Sequence, residues 1–263
     1  MRPGHSSTGV YLYCITEGQP RAPEEGLHPS RPVHSLVYED LVAVASLVPL
    51  EEFGEETLHA HLEDPDWLER EVRGHERVIE KVMVSRTVLP LKFCTIFLTE
   101  EKVRAFLERD QDKFHRALAR LRGREEWEVK MYCEPACRAD AQGSDVAASL
   151  SGREYLLRKK AAQAAAQDAA LEVRRQAQRA VEILSGCVEE IQLKPAAVAY
   201  PPGTPKLALD AVCLLAKLRF PVFRTRLEGL GNEVADKGLR LQLSGPWPPY
   251  HFTAEAQENV GPP

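Results

Sequence analysis

Residues 153–184 form a run without a single glycine or proline, in a chain of 263 residues that contains 16 glycines and 19 prolines. The run is rich in alanine, so local propensity dictates one long helix of about 45–50 Å at a rise of ~1.5 Å per residue. Val173, Ala177, Ala180 and Leu184 recur on one side of it as a stripe of mostly small residues, which lets a second element approach closely. The small, polar stretch 138–150 just before it marks a boundary, and the length of the chain suits two ordinary domains, each able to bury a core.

Ahead of that boundary the periodicity changes repeatedly. Residues 10–15, VYLYCI, are β-branched and aromatic and read as a buried strand. A loop rich in proline and glycine (18–32) follows, then two apolar runs split by Glu39 and Asp40, which predict a hairpin with an acidic turn. Asp64 before Pro65 opens a helix that runs to about Ser85, with Leu68, Val72, Ile79 and Val82 as its apolar stripe and His75 on the same side. A lone histidine in such a stripe is read as a hydrogen-bonded core residue.

The segment TVLPLKFCTIF, residues 87–97, comes next. Its apolar residues point to both sides of an extended chain, but Pro90 cannot donate to a ladder, so the segment is placed at an edge, a bulge or a bend between two short pieces. Thr99 caps a second helix, predicted to continue to Gly123 with Val103, Phe106, Leu107, Phe114, Leu118 and Leu121 facing inward. Residues 126–133 read as a strand returning to the same sheet. The order suits an α+β domain with helices on one face of a mostly antiparallel sheet, over residues 8–137.

Past the long helix, residues 191–200 and 207–218 read as strands around the loop PPGTPK, the second central in its sheet because it is apolar on both faces except at Asp210 and Lys217. Phe223, Leu227, Leu230 and Val234 repeat as a helix would, and Leu239, Leu241 and Leu243 share one face of a half-buried strand. A second α+β domain over 150–252 results.

Hydrophobic residues make up 44% of the chain, charged residues 28%, and the formal net charge is −5, the profile of a soluble globular protein. No apolar run approaches the ~18 residues of a membrane span. The start, MRPGHSSTG, lacks the apolar core of a secretory signal, and a cytoplasmic location is expected. Cys14, Cys94, Cys133, Cys137, Cys187 and Cys213 follow no disulfide or paired CxxC pattern and read as reduced, and Cys133 with Cys137 reads as packing, not as a metal or redox pair.

Catalytic signatures are few. The nucleophile elbow, the phosphate-cradling loop, the HExxH zinc helix and the dinucleotide fingerprint are all missing from the sequence. Residues 59–66, HAHLEDPD, gather the best metal-ligand types, but acidic residues before a helix more often cap and solvate it. No catalytic, cofactor or metal residue is therefore assigned. The long helix carries Arg153, Arg158, Lys159, Lys160, Arg174, Arg175 and Arg179, yet no aromatic residues interleave with them as in a single-strand-binding groove. They read as a solvated face or a patch for an acidic protein partner, and no nucleic acid is expected.

Residues 75–107, HERVIEKVMVSRTVLPLKFCTIFLTEEKVRAFL, resemble the signature block of the gas vesicle GvpL/GvpF proteins: a helix, an LPL-[RK]-F-x-T-x-F segment, and an acid-capped helix. GPWPPYHF (245–252) is similar to the family's C-terminal motif, SGREYLLRKK (151–160) to the opening of its second domain, and YLYCI to its first strand. Cys94 stands where the family usually has glycine, so either no glycine-type backbone is needed here or it is adopted with strain.

The resemblance implies an N-terminal α/β sandwich of modified ferredoxin-like type and a smaller C-terminal α+β domain with a long helix. It implies an accessory role in gas vesicle formation, in the cytoplasm and associated with vesicles, with the hydrophobic shell protein GvpA and other accessory proteins as partners and no enzymatic activity. Leu89, Pro90, Leu91, Lys92, Phe93, Thr95 and Phe97 are then candidates for a partner surface, with internal packing as their alternative role. Gly245, Pro246, Trp247, Pro248, Pro249 and Tyr250 are candidates for a tail that docks the domains. A ligand-binding regulatory protein built on ferredoxin-like domains is the competing function, and an enzyme using Cys94 or His75 the third.

Overall fold

A computed structural model describes residues 8–21, 26–27, 32–134, 152–195 and 204–253. The chain divides into two compact units, one holding the described residues up to Gly123 together with those from Pro248 onward, the other Arg124–Trp247.

The first unit is built around β1 (Thr8–Glu17), buried at almost every position as its unbroken apolar run requires. The hairpin β2 (His34–Tyr38) and β3 (Leu41–Pro49) turns at Glu39 and Asp40 as expected, with Glu39 at φ 51°, and β3 pairs antiparallel with β1. Short helices α1 (Leu50–Phe53) and α2 (Glu55–Leu62) lead to α3 (Pro65–Met83). The Asp64 carboxylate caps α3 by accepting from the amides of Asp66 and Trp67 at 3.0 and 3.4 Å. The buried stripe of α3 is turned by about one residue from the expected one: Trp67, Glu71, His75, Val78, Ile79 and Val82 are inside, and Leu68 and Val72 lie at its border. Trp67 decides this, because its ring packs on Phe53 and its indole N–H donates to Glu52 at 2.8 Å.

Segment 87–97 takes the third form foreseen for it, two short pieces joined by a bend. β4 (Val88–Pro90) and β5 (Ile96–Phe97) both pair with β1, giving the order β2-β3-β1-β4 with β5 beside the other end of β1. Helices α4 (Glu100–Arg109) and α5 (Gln111–Leu121) follow. The single helix expected from Thr99 to Gly123 is interrupted at Asp110, whose φ and ψ of −107° and 14° leave the helical well. Its side chain accounts for the break, pairing with Arg109 and Lys113 in place of continuing the helix. All six predicted inward residues remain buried.

The helices cover both faces of this sheet, not one. Ile96 packs with Tyr11, Phe53 and Trp67 on the α3 side, whereas its neighbour Phe97 meets Phe106 of α4 at 5.1 Å between ring centres. Three strands precede the first helix, so the unit departs from a plain βαββαβ order.

The second unit contains β6 (Arg124–Cys133), α6 (Gly152–Ser185), β7 (Glu190–Leu193), β8 (Lys206–Ala216), α7 (Phe220–Ala235) and β9 (Leu239–Trp247), with an antiparallel sheet ordered β7-β8-β6-β9. β6 does not return to the first sheet. It pairs along its whole length with β8 and with β9, so the boundary falls at Gly123, ahead of the expected 137–150. A cut near residue 143 would leave β6 without its sheet. The long helix is present, its stripe Val173–Ala177–Ala180–Leu184 packs with α7 on the sheet, and β8 is central as predicted. Phe223, Leu227, Leu230 and Val234 are the buried face of α7. Trp127 stacks on Phe220 at 4.2 Å.

Cys137, the stretch 138–150, and 196–200 of the first predicted C-terminal strand lie outside the described residues. The five described cysteines are free thiols. No described helix is long and apolar enough to cross a membrane.

Candidate functional site

Tyr11 and Tyr13 point from β1 toward α3, and the imidazole of His75 lies against both rings, 1% exposed. The hydrogen bonds around it have one consistent direction. The Cys94 amide donates to Tyr11 Oη at 3.2 Å, leaving the Tyr11 hydroxyl to donate to His75 Nδ1 at 2.8 Å. His75 Nε2–H then faces the Leu91 carbonyl at 3.2 Å and Tyr250 Oη at 3.0 Å, and the Tyr250 hydroxyl donates to Glu76 at 2.9 Å. One neutral imidazole thus ties together β1, α3, the bend 91–95 and the 3₁₀ turn Tyr250–Phe252, all within the first unit.

The two separated sequence motifs converge on this residue. The central block supplies Leu91 and Cys94, and the C-terminal motif supplies Tyr250. Burial holds the imidazole down to about 4, with the Leu91 carbonyl opposing part of the shift. Burial also pushes the Cys94 thiol up to about 12, with the nearby Glu71 adding to it. An enzyme using either group needs the opposite: an accessible base near neutrality or a stabilised thiolate. The site is built to hold backbone in place.

Of the proposed partner surface, Leu89, Pro90, Leu91, Thr95 and Phe97 are buried, Phe93 is half-buried, and Lys92 is exposed, as is Leu98 just past the segment. The internal-packing alternative accounts for the five buried residues. Thr95 closes the bend, its amide and hydroxyl both donating to the Lys92 carbonyl at 3.2 and 2.7 Å. In the tail motif, Tyr250 is bonded within the first unit and Pro248 and Pro249 are buried. Gly245, Pro246 and Trp247 finish β9 of the second unit, where the Trp247 indole N–H donates to Ser244 at 3.2 Å.

Residues 59–66, the stretch with the best metal-ligand types, form no metal-ligand group among the described residues. His61 stacks on Trp67 at 5.0 Å, and Asp64 is engaged as the cap of α3. Sequence reading missed a different cluster: His115 faces Glu17 through Nδ1 at 3.0 Å and Asp40 through Nε2 at 3.3 Å, while Arg122 pairs with Glu17. An imidazole with a carboxylate at each nitrogen, one of them already paired with arginine, is a charge clasp and not a ligand set turned toward a cation. No periodic signal announces such a cluster, since its members are 98 and 75 positions apart in pairs drawn from a strand, a turn and a helix.

Cys94 adopts φ 62° at the third position of the bend, where a type II turn demands a positive angle. The glycine-type backbone is therefore required, and a cysteine takes it with strain. Cys94→Gly is expected to be about 1 kcal/mol more stable than Cys94→Ala, because relief of the ~1–2 kcal/mol left-handed penalty exceeds the entropy that glycine adds to the unfolded chain. Denaturant midpoints of the two variants test this, and an alanine variant at least as stable as the glycine one would refute it.

The sequence matches the family described as gas vesicle synthesis protein GvpL/GvpF over residues 9–254. It is 35% identical over 256 residues to gas vesicle protein L of a Streptomyces species (strain CB03234), covering 95% of this chain and 94% of that one. Gas vesicle protein L of Haloferax mediterranei is 25% identical over 213 residues, 73% of this chain and 64% of that protein. The fold is similar to crystal structures of GvpF from Anabaena sp. PCC7120, with TM-score 0.65 at 21% identity over 94% of this chain and 96% of that one. GvpF from Microcystis aeruginosa gives 0.65 at 20% identity over 93% and 98%.

Proposed function

The chain belongs to the GvpL/GvpF family of gas vesicle synthesis proteins, and from that membership we propose that it is an assembly factor, one that binds the hydrophobic shell protein GvpA and supports nucleation or growth of the shell in the cytoplasm. The match along 9–254, nearly the whole described chain, carries the proposal. A shell subunit whose apolar face will line a gas space is prone to aggregate before it assembles, and a folded protein that covers that face or its strand edges suppresses wrong association.

The chemistry of the first unit supports a binding role over a catalytic one. Its two reagent candidates, His75 and Cys94, are used to fix backbone and are shifted away from reactivity. Within residues 89–98, a partner can reach the exposed Lys92 and Leu98 and the half-buried Phe93.

The test uses the full chain, because the first unit takes residues from both ends of the sequence and no single cut releases it. Deleting the gene from a vesicle-forming host is expected to abolish flotation and visible vesicles, and the wild-type chain to restore them. Co-expressed GvpA is expected to co-purify with the wild-type chain, and Leu98→Asp with Lys92→Glu to reduce its recovery several-fold while thermal stability stays unchanged. Vesicles in normal number after deletion would end the assembly proposal; vesicle loss with no recovery of GvpA would end the GvpA-binding part alone.

A further inference from the structure

Parts of two helices of this protein lie largely outside its cores. The second half of α6 covers its sheet, but residues 153–161 at its start are exposed throughout. Tyr155, Leu156 and Leu157 are 54%, 63% and 59% exposed, followed directly by Arg158, Lys159 and Lys160. In the other unit, α2 has no fully buried residue, of its apolar residues only Leu58 packs partly against the core, and Leu62 at its end is 40% exposed. Between Glu51 and Asp66, across α1, α2 and the start of α3, there are seven carboxylates and no lysine or arginine.

A helix normally owes most of its stability to packing of one face, and three adjacent large apolar side chains in water beside a basic cluster are not the composition of a plain solvated face. The same holds for a helix with no fully buried residue in a run of carboxylates. The two surfaces are opposite in charge, each adds exposed apolar side chains, and both are on the same polypeptide. We propose that copies of this chain associate head to tail, with the basic start of α6 of one copy seated on the acidic α1–α2 surface of the next.

Attraction between the charges orients the encounter, and Tyr155, Leu156, Leu157 and Leu62 supply the apolar contact. The two surfaces are different, so every contact joins the basic surface of one copy to the acidic surface of another.

Sedimentation velocity on the full chain tests this. At low ionic strength the weight-average mass is expected to rise with concentration above that of one chain, and to fall back toward one chain in about 1 M salt, where charges are screened beyond ~3 Å. The triple variant R158E/K159E/K160E and the triple variant E51K/E55K/E56K are each expected to remain single chains. All six positions are exposed, and unchanged circular dichroism and melting temperature confirm that the variants fold. An equimolar mixture of the two is expected to assemble again, since each reversed surface then meets its complement. L156S/L157S, which changes no charge, is expected to weaken assembly by an order of magnitude or more.

Three results would overturn the proposal: the mass of one chain at every concentration and salt, assembly that survives either reversal, or loss of assembly from one reversal but not the other. The last would mean that copies pair through a single surface. Failure of the mixture to reassemble would count equally against it.

Discussion

Replacing His75 with alanine is expected to destabilise the first unit by about 3–5 kcal/mol, the sum of a cavity among aromatic rings and hydrogen-bonding groups left without their partner. Three groups lose that partner: the Tyr11 hydroxyl, the Leu91 carbonyl and the Tyr250 hydroxyl. Tyr250→Phe is expected to cost only about 1–2 kcal/mol, because His75 Nε2 keeps the Leu91 carbonyl. Hydrogen exchange of the β1 amides, read by mass spectrometry alongside denaturant unfolding, localises the loss to this unit. A His75→Ala cost no larger than that of Tyr250→Phe would remove His75 from the centre of the network.

The same residue sets a pH dependence. Burial lowers the imidazole from 6.5 to about 4, so the folded state refuses a proton that the unfolded chain accepts. Its contribution is therefore complete above pH ~6.5 and is lost as pH falls toward about 4, a change of about 3 kcal/mol. Glu76 titrates with the opposite sign, because burial raises its carboxyl, although its bond from Tyr250 works against the rise. The comparison that isolates His75 is the wild-type profile minus that of His75→Gln, which keeps a donor and an acceptor but does not titrate. That difference is expected to slope between pH 6.5 and 4 and to be flat above; a flat difference throughout would show that the imidazole is not held neutral.

Gly245→Ala carries the second large effect, about 2–3 kcal/mol lost from the second unit. Two causes act together. Gly245 has φ 131°, a region that side-chain-bearing residues avoid, and an added Cβ would sit 3.0 Å from the Glu126 carbonyl oxygen and 3.0 Å from the Trp127 ring. Neither obstacle is the free end of a flexible side chain, since one is backbone of β6 and the other a ring stacked on Phe220. Faster amide exchange along β6 and β9 is the expected signature, with the exposed Gln242→Ala as a control within about 0.5 kcal/mol of wild type. If Gly245→Ala matches that control, the motif's glycine has no conformational reason to be there.

Local chemistry determined much of this protein from the sequence alone. The Asp64–Pro65 helix start, the Glu39–Asp40 hairpin, the inward faces of α4, α5 and α7, and the length of α6 follow from capping, turn and periodicity rules that act over a few residues. The separated motifs likewise point to the family without any coordinates. Periodicity cannot tell a strand which sheet to join, so the pattern of β6 suits the first sheet equally well although its residues pair with β8 and β9. Nor can it show that a tyrosine near the end of the chain bonds a histidine 175 positions earlier, or that Cys94 must take a glycine's backbone angle. Those facts belong to tertiary structure because strand pairing and buried polar partners are chosen by contacts between distant segments, whose energies outweigh the local preferences that a sequence window records.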